Sequence, residues 1–282
     1  MSTEHLKDIL KSVESFPSLS ASAPKLMSLL FDSETNADQI EDALRYDPGL
    51  TANILKLTNS AYFGFSGKIG SVRQAIVILG RQNLIKLVIT SCVRAIIDKE
   101  VLGYELTPGQ LWRHSTAVSV AAEGLVRELK IKDCDLIYTA ALLHDLGKLV
   151  LGRFVLKDIS PIEVATAHGL PFDVAVHQVL GINHAEIGAM MLENWHFPDD
   201  IVQAVRWHHE PDGANGNSRL ADIVHVADVL CLMLGYGVGR EGLQYSSSPA
   251  SAARLGLQQN HLERVASQTL QWVEEISEVF DN

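Results

Sequence analysis

The sequence predicts an all-α protein in which an N-terminal helical block precedes a helical bundle core. Three observations carry this. Apolar residues recur at i, i+3 and i+4 through nearly every segment. The apolar fraction of 47% rests on Ala, Leu, Ile and Val, with aromatics at only 6%, a balance that leans helical. Asp-Pro and Thr-Pro pairs interrupt the rhythm as cap and first turn of new helices.

Taken in order, Ile40–Tyr46 is helical and ends at Asp47-Pro48, which opens Gly49–Asn59. Tyr62–Ser71 is Gly-rich and loop-like. The rhythm resumes in Val72–Leu79 and Leu84–Asp98; Val88-Ile89-Thr90 is strand-like alone, but its setting is helical. Thr107-Pro108 opens a helix through Trp112, His114 and Leu125 to Leu129. Leu136–His144, Glu163–His168, Phe172–Leu180, Ala185–Trp195, Pro198–His209, Leu220–Leu234 and Leu262–Val279 follow as helical stretches. Asp212–Asn217 reads as a polar loop, and Tyr236–Ser251, rich in Gly, Ser and Pro, as a long surface loop. The best internal boundary lies near 98–107. It gives a front block over 1–100, a histidine-rich core over 101–235, and a loop with a closing helix over 236–282.

Bulk properties narrow the function. A chain of 282 residues supports a large core, as one large or two smaller domains. A net charge of −11 argues against nucleic acid as a partner, which calls for a basic face. An anionic small substrate stays open, because bound metal and a few cations reverse a local field. Cys92, Cys134 and Cys231 are widely spaced in apolar surroundings and read as buried free thiols of a reducing compartment. The N-terminus lacks a signal-peptide core. Apolar runs such as Ile223–Leu234 are short and broken by His225 and Asp228. The expectation is a cytoplasmic protein with no membrane partner.

Chemistry concentrates in His114, the adjacent pair His144-Asp145, His184, the doublet His208-His209 and Asp228. His114 shares a helix face with Ala117, Val118, Ala121 and Leu125, and Asp228 is embedded in an apolar run. Buried ionisable groups are costly unless paired or bound to a cation. The set is therefore a polar network or a metal site, and an Asp can bridge two ions through its two oxygens. His5, His168, His177, His196, His225 and His261 read as hydrogen-bonded core or solvated residues.

These residues resemble the HD superfamily of metal-dependent phosphohydrolases. Tyr46-Asp47-Pro48-Gly49-Leu50-Thr51, Lys56 to Gly64 (Lys-Leu-Thr-Asn-Ser-Ala-Tyr-Phe-Gly) and Ala75 to Gly80 (Ala-Ile-Val-Ile-Leu-Gly) resemble an HDOD domain, the HD-related output domain of bacterial signalling proteins, from about residue 16 to about 235. The resemblance implies an HD-type bundle and a regulatory role; many members have lost the metal ligands, whereas this sequence keeps them. It implies one metal held by His114, His144, Asp145 and Asp228, and a second held by Asp145, His184, His208 and His209. The ions implied are divalent Fe, Mn, Ni or Zn, with Mg as a further option. Lys148 matches a phosphate-contacting lysine of the HD-GYP phosphodiesterases. The stretch His208 to Gly213 is similar to the start of their second motif, but Ala214 to Ser218 lacks the Gly-Tyr-Pro ending. Gln110 stands where trinuclear relatives carry a glutamate, so two metals are expected.

Two roles remain open at this stage. One is a phosphohydrolase acting on a nucleotide or cyclic dinucleotide, with Asp145 orienting the nucleophile, Lys148 and also Arg113 or Arg206 neutralising phosphate, and His208 of the doublet protonating the leaving group. Otherwise those three cations are solvated surface charges. The other role is a regulatory module that docks a signalling protein and keeps a structural or vestigial metal. A di-iron oxygenase of HD type stands behind both. Asn59, Ser60, Tyr62 and Phe63 are a docking loop or a capped helix end that packs the core.

Overall fold

The computed structural model describes residues 3–17, 23–32, 34–45, 47–60, 68–214, 219–242 and 247–281. Its described residues form helices and no strand; one isolated bridge pairs Val101 with Leu106. The all-α expectation is met. The chain divides into two compact units, one of residues 1–16 and 97–270, the other of 17–96 and 271–282.

The smaller unit holds α2 (Ala23–Phe31), α3 (Ala37–Arg45), α4 (Pro48–Thr58) and most of α5 (Val72–Ile97). Asp47 caps α4 by accepting the Leu50 N–H at 2.9 Å, with Pro48 at the first turn, as the Asp-Pro pair predicts. Asn59 closes α4: its amide donates to the Leu55 carbonyl at 2.7 Å and exchanges two hydrogen bonds with Ile69. That agrees with a capping role, while Tyr62 and Phe63 lie outside the described residues. In α5 the helical path breaks at Gly80, where φ is 71° and ψ 170°. This is the pause the sequence shows between Leu79 and Leu84. By length and composition α5 is apolar enough to cross a membrane, but 61% of its most apolar window is buried, as in a core helix.

The larger unit contains α1 (Thr3–Glu14), α6 (Gln110–Glu128), α7 (Ile137–Leu143), α8 (Lys148–Lys157), α9 (Ile159–Ala167), α10 (Phe172–Leu180), α11 (His184–Asn194), α12 (Asp199–Trp207), α13 (Arg219–Met233), α14 (Pro249–Leu255) and the start of α15 (Gln259–Asp281). Its centre is built from α6, α7, α12 and α13, which pack on one another, with α11 against α12 and α8. Their facing residues are buried aliphatics such as Leu111, Ala117, Leu125, Leu143, Val205 and Ile223. Across both units all three cysteines are buried and none is in a disulfide.

Several element bounds differ from the sequence expectation. The helix expected from Thr107-Pro108 starts at Gln110, because Gly109 takes a left-handed conformation (φ 82°) and the Thr107 N–H donates to the Gln110 side chain instead. α8 was not expected at all. Its glycines suggest a break, yet they serve close approach: a Cβ on Gly152 would lie 2.6 Å from Val101, and one on Gly103 would lie 2.1 Å from the Gly152 carbonyl. α14 lies partly within the stretch read as a surface loop. The Arg254 guanidinium ties it to α13 through Asp222, and Ser251 donates to the same carboxylate at 2.6 Å.

Candidate metal centre

Each donor sits where two helices meet or end. His114 lies one turn into α6, on the same face as buried Ala117, Val118, Ala121 and Leu125. His144 and Asp145 form the turn between α7 and α8, and Lys148 begins α8. His184 opens α11, whose start is fixed by a capping box between Asn183 and Glu186. His208 and His209 follow the last residue of α12, and Asp228 lies on buried α13. His114, His144, Asp145, Lys148, His184, His208 and Asp228 are all less than 5% exposed, and His209 is half-buried.

The two Asp145 oxygens face different partners. Oδ2 lies 3.3 Å from His114 Nε2, 3.4 Å from His144 Nε2 and 2.7 Å from Lys148 Nζ. Oδ1 lies 3.2 Å from His184 Nε2 and 4.0 Å from His208 Nε2. Asp228 Oδ1 completes the first side, 3.1 Å from His114 Nε2 and 3.8 Å from His144 Nε2. His209 completes the second, its Nε2 2.8 Å from that of His184. Two groups result: His114, His144, Asp145 and Asp228, then Asp145, His184, His208 and His209. In the second, all four donor atoms lie within 4.8 Å of one another. All seven residues singled out in the sequence are thus brought together.

The donor chemistry fits divalent cations. His144 and His208 direct Nδ1 to the carbonyls of Ala141 and Val205, each at 2.7 Å, and His114 directs Nδ1 to that of Tyr236 at 3.2 Å. An Nδ1–H so used leaves the Nε2 lone pair facing inward, the usual state of a ligating imidazole. His114 and His144 then oppose two Nε2 atoms at 3.3 Å. Asp145 Oδ1, His208 Nε2 and Asp228 Oδ1 are buried and accept no hydrogen bond. Such atoms are costly unless a cation or proton satisfies them. Soft ligands are missing from the set, so a mixed imidazole and carboxylate shell suits Fe, Mn, Ni or Zn.

Burial lowers the pKa of the His114 imidazole, but the Asp145 and Asp228 carboxylates, which accept from the protonated ring, outweigh it and raise the value to about 9. Burial, then the neighbouring imidazoles, hold His208 and His209 well below the ordinary value. Although burial opposes it, His144 and Lys148 keep Asp145 well below the usual carboxylate range. In metal-free protein these shifts oppose each other. The raised His114 stabilises the fold fully below its ordinary value of 6.5, and that contribution fades as pH climbs to about 9. The lowered His208 and His209 stabilise above 6.5, and their contribution fades as pH falls. Chelator-treated protein is therefore expected to resist urea best near pH 6.5. A midpoint that rises steadily to alkaline pH would contradict this balance.

The sequence matches the profile of the HDOD domain over residues 16–211. The chain belongs to the HDOD family. The match includes every HDOD donor named above except Asp228 and stops short of the expected end near 235. The chain is 25% identical over 215 residues to an uncharacterized protein of Treponema pallidum; that stretch is 73% of this chain and 40% of the curated relative's length. The crystal structure of a "putative phosphohydrolase" from Shewanella amazonensis superposes with a TM-score of 0.72 at 22% identity, covering 95% of this chain and 97% of the other. An HDOD domain protein with unknown function from Geobacter sulfurreducens gives 0.71 at 21% identity, covering 99% and 93%. These structures share the all-helical HDOD fold.

Other sequence-derived candidates fall outside the cluster. Gln110 is exposed and caps Thr107. Arg113 is exposed, and Arg206 pairs with Glu193 at 2.8 Å. His225 is a core residue, its Nδ1–H donating to the His208 carbonyl at 2.8 Å while Nε2 accepts the Ser248 N–H at 2.9 Å. Lys148 is no surface charge. It is buried and donates to Asp145 and to Glu241, a second buried carboxylate. Glu241 was missed, because a lone Glu in a Gly- and Ser-rich stretch gives no core signal. A cavity of about 260 Å³ opens beside His209, lined by Asp173, His177, Arg206 and Trp207 among others.

Proposed function

We propose that this HDOD protein acts in signalling and binds two divalent transition metal ions in the His/Asp cluster, with phosphodiester hydrolysis of a nucleotide or cyclic dinucleotide as its activity. The single observation that carries this is the placement of Asp145, whose two oxygens address two separate groups of imidazoles. Bound there, the ions would supply charge for a phosphoryl group and acidify a water to near-neutral pKa.

The protein's own residues would do the rest. Asp145, held anionic by His144 and Lys148, orients the entering oxygen. Lys148 adds positive charge behind it. The low pKa of His208 and His209 leaves both unprotonated at neutral pH, which favours ligation by both over proton donation by His208. The cavity beside His209 offers the approach for substrate, with Arg206 as its cation and Trp207 as a flat apolar wall.

A second reading has its own support. Lys148 is committed to two carboxylates and the cluster is buried, which suits a regulatory module with a structural metal that docks a signalling partner.

Elemental analysis of protein purified without added metal or chelator tests the first step. About two equivalents per chain are expected, lost in His144→Ala/Asp145→Ala. Turnover of a generic phosphodiester by the loaded protein then separates enzyme from module. No metal, and no uptake on reconstitution, would overturn the proposal.

A further inference from the structure

Three histidines of the cluster have their outer nitrogen fixed by a backbone carbonyl: His114 by Tyr236, His144 by Ala141 and His208 by Val205. His184 differs. Its Nδ1 is buried without a hydrogen-bond partner, and Glu241 Oε1, also buried and without one, lies 3.8 Å away. Glu241 Oε2 accepts from Lys148 Nζ, which also donates to Asp145 Oδ2. A line of polar contacts therefore runs from the first group through Lys148 and Glu241 to the outer edge of His184.

Glu241 does not reach this place by chance of a loose loop. Its segment is seated on the unit that carries the cluster. The Arg240 N–H donates to the Tyr104 carbonyl at 2.9 Å, and the Arg240 guanidinium pairs with Glu105 and Glu163. A Cβ on Gly239 would lie 2.2 Å from that same Tyr104 carbonyl, so only glycine lets the backbone come so close. The carboxylate is 3% exposed. Burying it requires compensation, and Lys148 compensates one oxygen only.

We propose that Glu241 is the positioning residue of the second group: its Oε1 accepts the Nδ1 proton of His184 and so presents His184 Nε2 to the metal. A small side-chain adjustment on metal binding closes the 3.8 Å gap to hydrogen-bond length. Lys148 anchors the other oxygen and fixes the carboxylate's orientation. This assignment rests on the two-metal reading of the cluster.

Metal binding tests it, using the full chain stripped of metal and titrated with Co²⁺. Wild type is expected to take up two ions. Glu241→Ala is expected to keep the first and to bind the second tenfold or more weakly, the usual cost of losing an outer carboxylate (about 10–100-fold). Because Glu241→Ala leaves buried Lys148 with one carboxylate partner, Asp145, in place of two, the comparison is repeated in Lys148→Met, with and without Glu241→Ala. If the double variant binds the second ion more weakly than Lys148→Met alone, Glu241 acts on His184. If the two bind alike, Glu241 is only a counter-ion to Lys148 and the inference falls. A wild type that binds no Co²⁺ at all overturns the two-metal reading, and with it this inference; a wild type that binds two while Glu241→Ala also binds two unchanged overturns this inference alone.

Discussion

Asp145→Ala is expected to empty both metal positions, whereas Asp228→Ala empties one. Asp145 Oδ2 faces His114 and His144, and Oδ1 faces His184 and His208. Removing the carboxylate takes an anionic donor from each group. Asp228 Oδ1 lies nearest His114 and His144, at 3.1 and 3.8 Å, with His208 within 4.8 Å of the Asp228 carboxylate as the more distant neighbour. Losing a donor that touches the ion should exceed the roughly 10–100-fold loss typical of an outer-shell change. Elemental analysis of the two variants beside wild type reads this directly. One full equivalent retained by Asp145→Ala would show that the carboxylate does not bridge. Parallel melting curves of chelated proteins separate lost ligation from lost folding, since only the former disappears when metal is absent from all samples.

Gly147→Ala is expected to be the most damaging single methyl in the larger unit. A Cβ at Gly147 would lie 2.0 Å from the His184 carbonyl oxygen and 2.7 Å from the Gly188 nitrogen. Both are backbone atoms, so no rotamer change relieves the clash, and the starts of α8 and α11 must separate. Overpacking usually costs about 1–3 kcal/mol. A backbone clash this close should reach about 3 kcal/mol or more, which for a unit of this size lowers Tm by roughly 6–12 °C. The shift also moves His144 and Asp145 away from His184, so metal affinity should fall with stability. A melting temperature within about 2 °C of wild type would show that the two helix starts have room to relax.

Gly147 also shows where the sequence was readable and where it was not. His114, His144, Asp145 and Asp228 stood out because ionisable side chains in apolar helical runs are expensive to bury, and the structure buries all four. Phe172–Leu180 followed from periodicity, and the gap in rhythm between Leu79 and Leu84 holds the break that the structure places at Gly80. The same residue type misled at α8. Gly147 and Gly152 look like punctuation, but they stand in or beside a helix because neighbouring chain passes within contact distance, and close approach leaves no trace in local pattern. Glu241 was hidden for a related reason. Its burial depends on Arg240, Tyr104 and Lys148, residues far from it in sequence. A helix running to His209, as the pattern Pro198–His209 suggests, would set His208 and His209 about 100° apart. They lie past the end of α12 instead, which lets both turn to the cluster, their rings 3.9 Å apart.

The contact between His114 and the Tyr236 carbonyl joins residues 122 apart in the chain. During synthesis, His114 leaves the ribosome long before Asp228, Tyr236 or Glu241 exist. Until residue 241 emerges, Lys148 lacks its second carboxylate and His114 lacks the carbonyl that fixes its ring. Contacts so distant in sequence form late in folding. The last contacts around the cluster therefore wait on residues 236 and 241, more than ninety positions beyond His144.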